Sequence, residues 1–418
     1  MTRILLRAHK DPFTALSAER TYVTDAIGSN VGNLVFSHAA HRLLSRRGTK
    51  IISTAQLAEP KKSRLGRRQG FDHVVIPLAN AFRNSFREKL DELSAFVEGL
   101  DADVPVTVLG VGAQGGLGGN LSRLDPLADA VTRFMRAVLD RAPSVGVRGE
   151  VTREYLGALG FGDEHVTVIG CPSMFLRGPE LTVREPRAPL TAQSQVAVNV
   201  SPYVAEMGAI VEKNAERYPR LTYFAQDVHT LGMMLGAPYA GPGRRTTNPV
   251  SPEHRLYREG RMVFCLDPWT WFDELAQREI SFGTRIHGNI AALLAGTPAV
   301  VLAHDSRTLE LARYYEIPFR KISKVSEKLD PARLLENCDW GPLQSGHAAR
   351  WATFEGFLHA HGLQHAFETG GAADRFDAKV AKVRWPDPVR PVPYEQRAAR
   401  VDAGVRDRAE KILAAEAR

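Results

Sequence analysis

The stretch Ser281-Phe282-Gly283-Thr284-Arg285-Ile286-His287-Gly288 holds the residue types best suited to chemistry. Arg285 and His287 lie two positions apart, so in extended backbone their side chains point to the same side. A guanidinium fork matches a carboxylate or phosphate in bidentate fashion. A histidine beside it can exchange a proton near neutral pH. The pair suits an anionic substrate whose reaction needs a proton; the bland reading is a salt bridge and a satisfied histidine. Arg148, in Val145-Gly146-Val147-Arg148-Gly149-Glu150, also follows an apolar run and can reach the same place, or pair with Glu150. The glycine-rich stretch at 110–119, with Gly112 and Gln114, can offer free N–H groups to an anion. It lacks the Walker spacing. A G-x-G-x-x-G runs from Gly110 through Gly112 to Gly115, but no acidic residue ends a following strand, so dinucleotide binding is not expected. Asn30, Gly32 and Asn33 precede a helix that Asn30 or Asn33 can cap, and a helix N-terminus attracts anions. Asp305 or Ser306 can cap the helix that follows them. The densest basic run, at 61–68, reads as a solvated loop or as a contact for anionic lipid head groups.

These groups sit at the ends of short apolar runs that alternate with amphipathic segments. Strands are expected at 4–8, 50–53, 73–77, 104–111, 144–147 and 166–169, and helices at 32–47, 83–100, 126–141 and 150–159. Residues 10–29 read as a long polar connection. After a proline-containing, aperiodic segment at 179–195 the pattern restarts. Strands are expected at 196–200, 221–225, 262–266, 280–282 and 299–302, and helices at 206–216, 268–277, 288–294 and 307–314, with a loop at 237–258. The βαβα order implies parallel sheets with helices on both faces. The expected organisation is α/β: a Rossmann-like domain at 1–178, a linker at 179–195, a second Rossmann-like domain at 196–340 and a helical or extended tail at 341–418. In the tail, Trp351, Phe354 and Leu358 form an apolar stripe that can pack on the body or between copies, leaving the oligomeric state open. Ligands of such sheets bind beyond the carboxyl ends of the strands, so the cleft between the domains is the expected site.

The chain has 418 residues, with 54 Lys+Arg against 47 Asp+Glu, a formal charge of +7. Hydrophobic residues make up 44% and charged residues 24%, which excludes a mainly disordered chain. The positive charge is too small and too spread to mark a nucleic-acid binder. Cys171, Cys265 and Cys338 form no CxxC pair, so reduced thiols and no metal site are expected. The apolar run near the start, 4–6, is shorter than a secretory signal requires, and no run approaches the about 20 residues that span a membrane. A cytoplasmic protein is expected, with peripheral contact at the inner membrane face as an option.

One ordered set of motifs is specific. Gly283-Thr284-Arg285-Ile286-His287-Gly288, then Leu294-Ala295-Gly296-Thr297-Pro298, Asp305-Ser306-Arg307, Glu310-Leu311-Ala312 and Ile317-Pro318 resemble the polysaccharide pyruvyl transferase family. The stretches at 30–33, 112–116 and 145–150, and Gly170-Cys171-Pro172-Ser173, fall in the order this resemblance requires. It implies a two-domain fold similar to the GT-B glycosyltransferases. It also implies transfer of pyruvate from phosphoenolpyruvate to two hydroxyls of a sugar, giving a ketal and phosphate, with no cofactor. Arg285 and Arg148 would hold the donor's carboxylate and phosphate, and His287 would act as the acid. Asn30, Gly32, Asn33, Gly112, Gln114 and Gly288 complete the candidate substrate-binding set. The acceptor would be a cell-surface or exopolysaccharide glycan, free or as a lipid-linked oligosaccharide. A nucleotide-sugar glycosyltransferase, and a non-catalytic glycan-binding member of the family, are the competing readings.

Overall fold

The computed structural model describes residues 1–56, 70–117, 120–185, 189–243 and 246–416; the basic run at 61–68 lies outside them. Strands β1 (Thr2–Leu6), β2 (Thr49–Ser53), β3 (His73–Pro77) and β4 (Val106–Leu109) form a parallel sheet in the order 2-1-3-4. Strands β5 (Val145–Val147) and β6 (Val166–Val168) are a parallel pair, joined to that sheet through the parallel bridge Val111–Val147. The second sheet is parallel throughout. Its strands are β7 (Val196–Asn199), β8 (Thr222–Phe224), β9 (Met262–Val263), β10 (Ile280–Gly283), β11 (Ala299–Ala303) and β12 (Phe319–Lys321), in the order 12-11-10-7-8-9. Strands β3, β4, β7, β10 and β11 are buried along their whole length. That explains their unbroken apolar runs, because a parallel sheet is covered on both faces.

Strand order reverses between β1 and β3 in the first sheet and between β7 and β10 in the second. These are the points where neighbouring crossovers diverge and leave a crevice at the carboxyl ends. Helix Gly32–Leu44 runs between the two sheets with 11 of its 13 residues buried. Its apolar side chains belong to one continuous core with those of the second sheet. The two halves are therefore packed through a shared helix, giving a GT-B-like pair of facing Rossmann-like sheets.

Several local features differ from expectation. Residues 18–24 of the presumed connection form helix Ala18–Thr24, capped by Ser17. Helix Val228–Met234 and β12 are additional elements. Helix Val228–Met234 is marked in sequence by Asp227, whose carboxylate accepts from Thr230 N at 3.0 Å, but at two turns it is too short for its period to show. A short helix, Arg255–Arg258, also interrupts the loop at 237–258. The helix after β10 begins at Ile286, not 288.

The tail packs on the body. Helix His347–Ala360 buries Trp351, Phe354 and Leu358, and the Phe354 ring lies 4.7 Å from that of Phe175. Helix Ala403–Glu416 returns to the first half, with the Arg408 guanidinium 4.9 Å over the Tyr22 ring. Phe354 is 0% exposed, so Phe354→Ala is expected to destabilise the fold by about 3–5 kcal/mol. A fall in urea midpoint at unchanged slope checks this; a shift under 1 kcal/mol, roughly the level of a surface change, would mean the tail is not part of the cooperative unit. Among the described residues, no helix is long and apolar enough to cross a membrane.

Candidate active site

The loops after β1, β3, β7 and β10 enclose a cavity of about 340 Å³ between the halves. Arg7 and Arg83 enter from the first half beyond β1 and β3, and Arg148 from beyond β5. Arg285 enters from beyond β10 and Arg307 from the helix after β11. Asp227 is the sole carboxylate among the described lining residues.

Backbone carbonyls and polar side chains hold Arg148, Arg285 and Arg307 in place, and Arg307 also pairs with the Asp305 carboxylate. Arg148, 1% exposed, donates through Nε to the Gly110 carbonyl at 3.0 Å. Gly112 makes room for it, since a Cβ there would lie 2.7 Å from Arg148 Cδ. Glu150 pairs with Arg153 at 2.7 Å, leaving Arg148 to the cleft. Arg285 donates its backbone N–H to Asn199 Oδ1 at 2.8 Å and its Nε to the Val200 carbonyl at 3.3 Å. Its Nη2 stands 3.8 Å from Asp227. Arg307 donates through Nε to Asp305 at 2.7 Å and through Nη2 to Tyr203 Oη at 3.1 Å. With its side-chain oxygen turned to the cations, Asn80 accepts from Arg307 Nη1 at 2.7 Å and from Arg83 Nη1 at 3.1 Å.

Burial dominates the electrostatics. It draws Arg7 down to about 10 and lowers Arg83 and Arg148 from the usual arginine range. Arg307 goes the other way, because Asp305 and Tyr203 outweigh its burial. His287 is held well below its ordinary value, first by burial and then by Arg148, Arg307 and Arg285. The free site therefore contains a neutral imidazole among cations short of counter-charge. Such an arrangement is costly until an anion enters.

The predicted residues separate into two groups. Arg285, His287, Arg148, Asn30 and Asn33 line this cavity. Arg285 and His287 arrive there by a different route from an extended strand: Arg285 is extended, but His287 is already in the first turn of helix Ile286–Leu294. Asn199 Nδ2 donates to Asn289 Oδ1 and Asn289 Nδ2 to the Gly283 carbonyl, both at 3.0 Å, tying the end of the strand to the first turns of the helix. Neither Asn30 nor Asn33 is the N-cap, which is Val31. Asn30 Oδ1 accepts from Gly32 N at 2.8 Å, and its buried Nδ2 has no protein partner. Asn33 Nδ2 donates to the Gly28 carbonyl at 2.6 Å and so shapes the loop. Gly32, Gly112 and Gly288 do not line the cavity; they permit close approach. A Cβ at Gly32 would lie 2.8 Å from His287 Cβ, and one at Gly288 would lie 2.4 Å from Gln226 Nε2. Gln114 lines a neighbouring cavity. Cys171 Sγ, 3.6 Å from His287 Nε2, was not foreseen as a neighbour of the site.

Arg7, Arg83 and Arg307 are the residues that sequence reading missed. Their signal was the one that exposed Arg285 and Arg148, a basic residue just past a strand. It was hidden by boundaries, since the first strand ends at Leu6 rather than at residue 8, and helix Arg87–Glu98 starts four residues after Arg83. Outside the cleft, Glu355, His359 and His365 come together on the tail. The Phe367 N–H donates to His365 Nδ1 at 3.2 Å, so the ring N–H of His365 is on Nε2 and donates a hydrogen bond to Glu355 Oε1 at 2.7 Å. In that tautomer Nε2 has no lone pair for a cation, and the group is a hydrogen-bond network that joins the Arg46–Glu368 ion pair.

Glu310 links the halves behind Arg148. It is 4% exposed and accepts from Thr152 N at 3.0 Å and Thr152 Oγ1 at 3.2 Å, capping helix Glu150–Ala158 from the opposite half. Burial pushes its carboxyl up from 4.5 to about 7. The folded form therefore keeps a proton that the unfolded chain releases. This group's contribution to stability is full below about pH 4.5 and is lost as pH rises toward 7, on the order of 3 kcal/mol. The stability difference between wild type and Glu310→Gln should shift against wild type by that order between about pH 4.5 and 7 in urea titrations. A difference that stays flat with pH would refute the assignment.

Two facing parallel sheets with a cation-lined cleft at their carboxyl ends define a protein of GT-B-like architecture. The chain belongs to the polysaccharide pyruvyl transferase family, whose model matches residues 30–306. No curated protein sequence matches it. Solved structures with a similar chain course include S. aureus MnaA with UDP, at 11% identity over 87% of this chain and 94% of that one, TM-score 0.44. Others are an uncharacterised Klebsiella pneumoniae protein (12%, 77% and 93%, TM-score 0.41) and a Listeria monocytogenes protein described as a UDP-N-acetylglucosamine 2-epimerase (11%, 90% and 94%, TM-score 0.40).

Proposed function

We propose that the chain transfers pyruvate from phosphoenolpyruvate to two hydroxyls of a glycan, forming a ketal and releasing phosphate. Family membership implies a glycan acceptor and a pyruvate donor. The observation that supports phosphoenolpyruvate best is the convergence of Arg7, Arg83, Arg148, Arg285 and Arg307 on one cavity whose described lining holds one carboxylate, Asp227, with Asp305 behind Arg307. That donor carries a carboxylate and a phosphate, both of which fit guanidinium forks.

In this reading the donor's negative charge offsets Arg148, Arg307 and Arg285, the cations that hold His287 neutral. Donor binding then raises the affinity of His287 for a proton, and the acid forms only when substrate is present. His287 protonates the donor's methylene carbon, leaving C2 electrophilic. One sugar hydroxyl bonds to C2, the C2–O bond to phosphate breaks, and a second hydroxyl bonds to C2 to close the ring. Of the two hydroxyl protons released, one restores His287 and the other leaves with phosphate.

The test is thermal shift with phosphoenolpyruvate, followed by phosphate release in the presence of a glycan panel, with UDP-sugars in parallel. A shift and acceptor-dependent phosphate release are expected. Tight nucleotide binding without a response to phosphoenolpyruvate would overturn the reading in favour of a nucleotide-sugar transferase.

A further inference from the structure

We infer that the cavity bounded by Arg83, Gln114 and Tyr203 is the acceptor-sugar subsite, with the half-exposed ring of Tyr203 as its stacking platform. The inference rests on the donor reading above. An acceptor must bring two hydroxyls to the donor's C2, so its subsite has to adjoin the donor cavity. Among the described residues, two cavities that share lining residues with it stand out. One, of about 980 Å³, shares Arg7 and His9, and all its described lining residues come from the first half. The other, of about 570 Å³, shares Arg83 and Tyr203 and lies between the halves.

Three features favour the second. Tyr203 is 46% exposed, one of three large hydrophobic residues in that state among those described, and the only one at the cleft. Its ring is fixed: Arg307 donates to its hydroxyl at 3.1 Å, His304 Nε2 lies 3.3 Å from the same oxygen, and the His304 ring meets it edge-on at 5.7 Å. An aromatic ring anchored at its polar end and about half exposed suits a ligand with one apolar face. A pyranose has such a face in its C–H bonds and carries its hydroxyls at the edge. Groups for those hydroxyls are present, with Asn84, Ser85 and Gln114 from the first half and Glu206 and Ser323 from the second. Lastly, Arg307 touches both Tyr203 and the donor cavity, so a sugar on the ring lies beside the donor. The substrate class is a neutral terminal hexopyranose with two free hydroxyls close enough to close a ring on one carbon.

Saturation-transfer NMR on the full chain with phosphoenolpyruvate, using methyl glycosides of galactose, glucose, mannose and N-acetylmannosamine as probes, tests this. Wild type is expected to bind at least one glycoside. Tyr203→Ala should weaken that binding roughly tenfold or abolish it, Tyr203→Phe should retain it, and Lys89→Ala, in the larger cavity, should not alter it. Unchanged binding in Tyr203→Ala, or loss confined to Lys89→Ala, overturns the assignment. So does the absence of binding by any glycoside in a wild-type protein that still shifts with phosphoenolpyruvate. If that donor produces no shift, the donor reading fails first, and the failure is read separately.

Discussion

Replacing His287 with alanine is expected to lower turnover roughly 10²–10⁴-fold while leaving phosphoenolpyruvate affinity within a few-fold. The size follows from the loss of a positioned acid, and the small effect on affinity from the state of the ring. In the free protein the imidazole is neutral, so it contributes little charge to donor capture. A second readout separates chemistry from damage. Donor binding to wild type should take up a proton near neutral pH, seen as a dependence of calorimetric heat on the buffer's ionisation enthalpy. The alanine variant should take up none. Because His287 packs against Gly32 and Cys171, His287→Asn is the companion variant that keeps polar bulk without an acid. Near wild-type turnover in both would remove His287 from the mechanism.

The second large effect concerns the guanidiniums. Truncating one partner of a buried charged contact costs about 2–5 kcal/mol, roughly 30- to 5,000-fold in Kd. Arg148→Met is expected to fall in that range for phosphoenolpyruvate. Arg148 is buried and contacts the body mainly through the Gly110 carbonyl, so the fold should survive the change. Arg285→Lys should also weaken donor binding, because an ammonium keeps the charge but not the planar fork. Arg148→Met carries a further consequence. With one of the three cations gone, His287 should rise toward its ordinary value, and proton uptake on donor binding should shrink. Donor affinity within threefold of wild type in both variants would show that the donor sits elsewhere.

Much of this site was readable one segment at a time. Arg285 and Arg148 stand at the ends of apolar runs, and the motifs around His287 are ordered enough to indicate the family. The missed residues have a common cause. Periodicity puts Arg7 inside a strand and Arg83 at the head of a helix. Helix and strand ends depend on single hydrogen bonds, such as those the Asn289 side chain makes to Asn199 and to the Gly283 carbonyl, that periodicity does not record. The roles of Gly32 and Gly112 were legible only as freedom from a side chain. The side chains that need that freedom, His287 and Arg148, are distant in sequence.

By itself the sequence determined two runs of alternating parallel strands and helices, a tail that must carry its own apolar stripe, and cations at particular strand ends. These follow from local periodicity and from the residue types that each environment admits. Only the tertiary structure decided which strand ends meet. The order 2-1-3-4 in one sheet and 12-11-10-7-8-9 in the other sets the two reversals of strand order face to face. Five arginines from separate segments then share one cavity. The protonation state of His287 belongs to the same level, because it depends on burial and on cations that come from both halves of the chain.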